Sequence, residues 1–199
     1  MAIPAIRYLA LGDSFTIATG LSPDRSFPAR LADRWRARGR SVDLLNLGVN
    51  GYTTADLIRE ELPRVRAFAP TFVTLMIGTN DIVRGGGAAG FRRNLATILD
   101  RLAHEIATER VLVLPAPDWS RSPEGARYGD PDAIARGVDA QSGVALEEAA
   151  RAGARFLDLV PLSREQSARG LFAPDGLHFG VDAYAEWAAR IDDATRAWC

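Results

Sequence analysis

Lysine is missing from this chain: all 24 basic residues among its 199 are arginine. A Walker-type phosphate loop, Schiff-base chemistry and pyridoxal catalysis each need a lysine, so those reaction classes are excluded. Histidine occurs only at His104 and His178, and cysteine only at Cys199. No intrachain disulfide can form, and no zinc site of the usual His/Cys type can be assembled, so neither metal nor cofactor is expected. An excess of one charge is also lacking. With 25 acidic residues the net charge is -1, which leaves no electrostatic footprint for nucleic acid or an anionic membrane surface. The longest apolar runs, such as Thr71–Gly78, fall far short of a membrane span.

What remains is an ordinary globular composition, 47% hydrophobic and 25% charged, in a chain long enough for one well-cored domain over residues 1–199. Met1–Ile6 has no basic region followed by an apolar core, and Ile6–Leu11 already reads as a strand. A cleaved signal would remove the first element of the fold, so a cytoplasmic protein, or the mature form of a trimmed secreted one, is expected.

Short apolar runs alternate with helical periodicity. Ile6–Leu11, Val42–Leu47, Phe72–Gly78, Arg110–Pro115 and Arg155–Leu159 are nearly continuous in apolar residues, as in strands buried on both faces. Between them, Phe27, Leu31 and Trp35 mark one helix face, with Ser26 as its N-cap and Pro28 in its first turn. Leu57, Leu62 and Val65 mark another, kinked at Pro63. Phe91–Thr108 carries the stripe Phe91, Leu95, Ile98, Leu99, Leu102 and Ile106. Asp130–Pro131 opens a helix to about Arg151, and Val181, Tyr184, Trp187, Ile191 and Trp198 stripe the last one. Such alternation gives an α/β fold with a parallel sheet, doubly wound, with helices on both faces. The unpatterned stretches Pro115–Asp130 and Val160–Leu177 are expected at the carboxyl edge of that sheet, where ligands bind.

The two histidines separate at once. His104 falls on the polar face of its helix and reads as a solvated surface residue. His178 follows Asp175 by three residues in the turn-rich Ala173-Pro174-Asp175-Gly176-Leu177-His178. A folded-back aspartate there fixes an imidazole tautomer, as a catalytic base requires, although an ordinary surface turn has the same composition. Ser14, in Gly12-Asp13-Ser14, directly follows the first strand; taken alone, that tripeptide also reads as a capped turn. Gly48, within Asn46–Gly51, and Asn80, within Gly78-Thr79-Asn80-Asp81, follow the second and third strands. Together these loops offer a nucleophile, a base with its orienter, and donors for an oxyanion, which is the inventory of acyl transfer.

These four segments, in this order from residue 12 to residue 178, resemble the sequence blocks of the SGNH/GDSL hydrolase family. Phe15 stands where the family's name motif has leucine. The resemblance implies a three-layer, flavodoxin-like, five-stranded parallel sheet. It implies Ser14 as nucleophile, His178 as base and Asp175 as its partner. It also implies an oxyanion hole from the Ser14 and Gly48 backbone N–H groups and the Asn80 side chain. The expected function is a metal-independent serine esterase acting on small-molecule esters of short to medium acyl chain. The alternatives are a carbohydrate O-acetyl esterase and a non-catalytic flavodoxin-like binding module. Ile82, Val83, Trp119 and Phe172 are the candidates for an apolar acyl pocket. A second glycine-rich run, Gly85–Gly90, formally fits Gly-x-Gly-x-x-Gly but starts seven residues after its strand. It is therefore not a dinucleotide site, and is expected as a flexible loop at the pocket rim.

Overall fold

The computed structural model describes residues 5–196. Five strands, β1 (Ile6–Gly12), β2 (Val42–Asn46), β3 (Phe72–Met76), β4 (Val111–Leu114) and β5 (Arg155–Phe156), form one parallel sheet in the order β2-β1-β3-β4-β5. This is the flavodoxin-like winding. Between them run α1 (Ser14–Ile17), α2 (Phe27–Ala37), α3 (Thr54–Glu60), α4 (Val65–Phe68), α5 (Thr79–Val83), α6 (Gly87–Ala103), α7 (Pro131–Ala152), α8 (Val160–Ala168) and α9 (Val181–Thr195).

The pleat sorts side chains to two faces. Ile6, Tyr8 and Ala10 of β1 meet Phe27, Leu31 and Trp35 of α2 and Tyr184, Trp187 and Ile191 of α9. Leu9 and Leu11 meet Leu57 of α3, the Phe91–Leu102 stripe of α6, and Val144 and Ala149 of α7. The first face is aromatic: the Tyr8, Trp35 and Phe72 rings lie 5.2–5.5 Å apart. The second is mostly aliphatic.

The expected helix starts at Ser26 and Asp130 are observed, each side chain accepting from the third backbone N–H on. Pro63 divides α3 from α4 through a 3-10 turn.

Four expectations are corrected. The edge strands β2 and β5 are half-exposed rather than buried on both faces, because each lacks a neighbour on one side. The α6 helix begins at Gly87 and ends at Ala103 rather than spanning Phe91–Thr108, so Ile106 packs on the core from beyond its end. The glycine run is thus largely the first turn of a helix and not a rim loop. Residues 160–168 are helical, not irregular, and hydrophobic periodicity was blind to them because α8 buries polar side chains. Ser163 and Gln166 are fully buried there, and Gln166 accepts from Trp187 Nε1 at 2.7 Å while donating to Glu186 at 2.7 Å. Trp198 and Cys199 lie outside the described residues.

The chain runs from β1 outward to β2, then returns across β1 to β3. The crevice between the carboxyl ends of β1 and β3 is the switch point at which such sheets bind ligands. Ser14 follows β1 and Asn80 follows β3.

Candidate active site

β1 ends in a turn that only glycine can make. Gly12 has φ +153°, and a Cβ there would lie 2.0 Å from the Met76 carbonyl oxygen. Asp13 then caps α1, its Oδ1 accepting from Phe15 N–H at 3.1 Å, and Ser14 is the first helical residue. Gly48 is pressed against this helix, since a Cβ would come within 2.9 Å of Asp13 O and Ile17 N. Asn46 braces the same loop, donating to Thr16 O at 2.9 Å and accepting from Gly48 N–H at 3.0 Å. The expected Gly48 donor is therefore engaged inside its own loop.

Asn80 donates to Tyr52 O at 2.9 Å, which uses one of its two amide hydrogens and leaves the second for the crevice. Beside it, Asp81 accepts from Thr54 N–H at 2.9 Å and from Thr54 Oγ1 at 2.5 Å, and Asn94 donates to that hydroxyl at 2.8 Å. This network staples the Asn80 turn to the start of α3.

Asp175 and His178 form a closed turn. Asp175 Oδ1 accepts from the Leu177 and His178 backbone N–H groups, both at 3.0 Å, and Oδ2 lies 2.7 Å from His178 Nδ1. Burial pushes the Asp175 carboxyl up, but these donors and the imidazole outweigh it and hold it below the usual carboxylate range. The carboxylate thereby presents Nε2 as the free ring nitrogen. The imidazole rests against Phe15 with centroids 5.1 Å apart.

Ser14, Asn80 and His178 open onto one cleft of about 130 Å³, with Phe15, Asn50, Thr79, Val83, Trp119, Tyr128 and Leu177 as its other walls. Two of the four pocket candidates, Val83 and Trp119, belong to it. Ile82 does not: one helical step, about 100°, turns it away from Val83 into a second cleft with Gly137 and Gln141. Phe172 does not either, since its ring packs on Phe179 at 5.3 Å. Tyr128, edge-on to Trp119 at 5.8 Å, was not foreseen, because an exposed aromatic in a loop carries no periodic signal. His104 is solvent-exposed at the end of α6.

Under Ser14 lies a group of buried acids, of which Asp13 and Asp81 fall within the motifs and Glu61 does not. Asp13, Glu61 and Asp81 are 1%, 2% and 7% exposed. Burial raises all three, Asp13 to about 7 and Glu61 to about 9. One signal was available: Glu61 falls four residues after Leu57, on the apolar stripe. Among the described residues, no group of three His, Cys, Asp or Glu side chains is placed to hold a metal ion. No helix among them is long and apolar enough to cross a membrane.

The sequence profile of the GDSL-like lipase/acylhydrolase family matches residues 10–186. The chain belongs to that family. Its relatives include esterase TesA of Pseudomonas aeruginosa, 28% identical over 109 residues, which are 55% of this chain and 54% of that one. The match thus spans about half the length of that curated relative. Over nearly the whole chain, this GDSL-like fold superposes on the lipase/acylhydrolase of Enterococcus faecalis with a TM-score of 0.76 and 26% identity, covering 96% of this chain and 95% of the other. An acetylxylan esterase of Geobacillus stearothermophilus shares the fold with a TM-score of 0.75 at 18% identity, over 94% and 92% of the two chains.

Proposed function

We propose that this protein is a serine hydrolase of carboxylic esters with a short acyl group, working as one domain through an acyl-Ser14 intermediate. The observation that carries this reading is the Asp175–His178 pair, 2.7 Å apart, on the same cleft as Ser14. In this mechanism Ser14 Oγ attacks the ester carbonyl and His178 Nε2 takes its proton, then delivers it to the departing alcohol. Asp175 holds the ring and stabilises the imidazolium. Asn80, through its second amide hydrogen, and the Ser14 backbone N–H stabilise the oxyanion. Gly48 N–H joins them by exchanging Asn46 Oδ1 for that oxyanion. A water activated by His178 then releases the acid.

The size of the cleft supports a small acyl group. About 130 Å³ is close to the cavity of about 150 Å³ that accommodates benzene and well under the 300–1,000 Å³ of drug-sized sites. Its walls carry no aspartate, glutamate or arginine side chain, which suits a neutral ester.

The test is hydrolysis of p-nitrophenyl esters from acetate to palmitate, with Ser14→Ala in parallel. The expected result is turnover greatest at the short end and absent in the variant. Equal rates for wild type and Ser14→Ala would overturn the serine mechanism. Turnover confined to acetate, together with deacetylation of xylo-oligosaccharides, would select a carbohydrate O-acetyl esterase. No turnover and no Ser14 labelling by a fluorophosphonate would select a binding module.

A further inference from the structure

Glu61 is the most buried glutamate of the described residues, and no step of the proposed mechanism uses it. It ends α3, its own N–H bonded to Leu57 O at 3.0 Å, while its side chain runs up beneath the β1–α1 turn. There Glu61 Oε2 accepts from the backbone N–H of Gly12 at 3.0 Å. The sheet cannot supply that acceptor, because β2 pairs with β1 only as far as Ala10 opposite Asn46. Past that point the loop takes over: Val49 N–H donates to Gly12 O at 3.2 Å. Both polar atoms of Gly12 are thus held, one by Glu61 and one by the loop that carries Gly48.

Asp13 performs the matching task on the far side of Ser14, gripping Phe15 N–H at 3.1 Å. The other oxygens, Glu61 Oε1 and Asp13 Oδ2, are buried and have no hydrogen-bond partner among the described residues. Burial raises both carboxyls, and charge on Asp13 raises Glu61 further.

We propose that Glu61 is a positioning residue for the nucleophile, its carboxyl oxygen serving as the acceptor that seats the Gly12 peptide and, through it, Ser14 and the Gly48 loop. This rests on the serine-hydrolase reading above. It deepens that reading by naming what holds the attacking geometry from below. Burial supports the neutral form, raising Glu61 to about 9, with Asp13 adding to the rise and Arg64 opposing it. The role is geometric, so it should appear in kcat and not in KM: small misplacements of a reacting group cost about 10²-fold when binding is intact.

The experiment compares Glu61→Leu, which removes the acceptor, with Glu61→Gln, which keeps an acceptor oxygen and the neutral charge. Turnover of p-nitrophenyl acetate, Ser14 labelling by a fluorophosphonate and hydrogen exchange of the Gly12 amide are read in each. Glu61→Leu is expected to lower kcat by about 10–100-fold with KM nearly unchanged. Labelling should slow in parallel, and the Gly12 amide should lose its protection. Glu61→Gln is expected to recover kcat to within about threefold of wild type. A folded Glu61→Leu protein with wild-type kcat overturns the proposal, as does a Glu61→Gln protein as impaired as Glu61→Leu. Should Glu61→Leu fail to fold, Glu61→Gln decides: recovery supports the role, and a loss beyond tenfold overturns it. If wild type hydrolyses no ester and Ser14 takes no label, the serine-hydrolase reading fails by itself. Gly12 protection then still reports whether Glu61 holds that peptide.

Discussion

Asp175 reaches His178 across three residues of a single turn, whereas Ser14 is held by groups drawn from three other segments of chain. The base half closes through its own backbone, with Asp175 Oδ1 accepting two N–H groups and Oδ2 meeting the ring at 2.7 Å. The nucleophile half depends on Met76 excluding any Cβ at Gly12, Glu61 taking its N–H from 49 residues away, and Gly48 pressing on α1. A local turn can assemble its hydrogen bonds in a short peptide. A nucleophile on a strand end needs the sheet formed first, because its neighbours are contributed by other strands. The Asp175–His178 half should therefore tolerate change in the sheet, and the Ser14 half should not.

The sharpest way to break this comparison is to delete each half. Ser14→Ala and His178→Ala should each lower kcat by about 10⁶, since members of such a unit fail together. A residual rate well above that in only one of them would mean the halves act separately. Asp175→Ala should cost less, about 10⁴, because the imidazole remains and only its orientation and charge partner are lost. Asn80→Ala should lower kcat by about 10²–10³ with KM nearly unchanged, the mark of a contact made in the transition state. A wild-type kcat there would remove Asn80 from the oxyanion hole.

Smaller effects test the scaffold. Asp192 is a fully buried carboxylate that accepts from Trp35 Nε1 at 3.0 Å, Arg34 at 3.0 Å and Arg38 at 2.7 Å. Asp192→Ala should remove about 2–3 kcal/mol by leaving the indole N–H unpaired, seen as a lower Tm with unchanged kcat. Asp192→Asn should regain part of it.

The smallest effect is a slope in pH. Burial raises Asp192, but Arg38 and Arg34 pull it below its ordinary value, so its contribution is present above the unfolded pKa and lost as pH falls through the folded one. Glu61 has the opposite sign. Raised to about 9, its contribution is complete in acid, below the unfolded pKa, and lost as pH climbs toward 9. Tm should therefore decline from about pH 5 to pH 9 in wild type, and Glu61→Gln should flatten that decline. An unchanged slope would mean that Glu61 ionises freely in the fold.

Much of this molecule is legible in its sequence. Nearly continuous apolar runs located β1, β3 and β4, and period-3.6 stripes located the amphipathic helices, since burial on both faces of a sheet or along one helix face imposes those patterns. The caps at Ser26 and Asp130 were readable because they are local. Where patterning failed, burial was polar, as in α8 with Ser163 and Gln166, or glycine-rich, as at the start of α6. In the site, Ser14, Asp175 and His178 were marked by short motifs, while Glu61, Thr54 and Asn94 were not: each meets its partner from a distant part of the chain. Ile82 and Phe172, expected as apolar lining of the cleft, are turned away from it by helix rotation and by packing of the Phe172 ring on Phe179.

By itself the sequence determined the class of fold and the family and marked the candidate reactive groups, because periodicity and local turns are written in neighbouring residues. The tertiary structure alone decided which side chains wall the cleft, that Gly48 spends its N–H on Asn46, and that three acids lie buried beneath Ser14. Those facts turn on the meeting of segments tens of residues apart, where desolvation, and not residue type, sets what a carboxyl group can do.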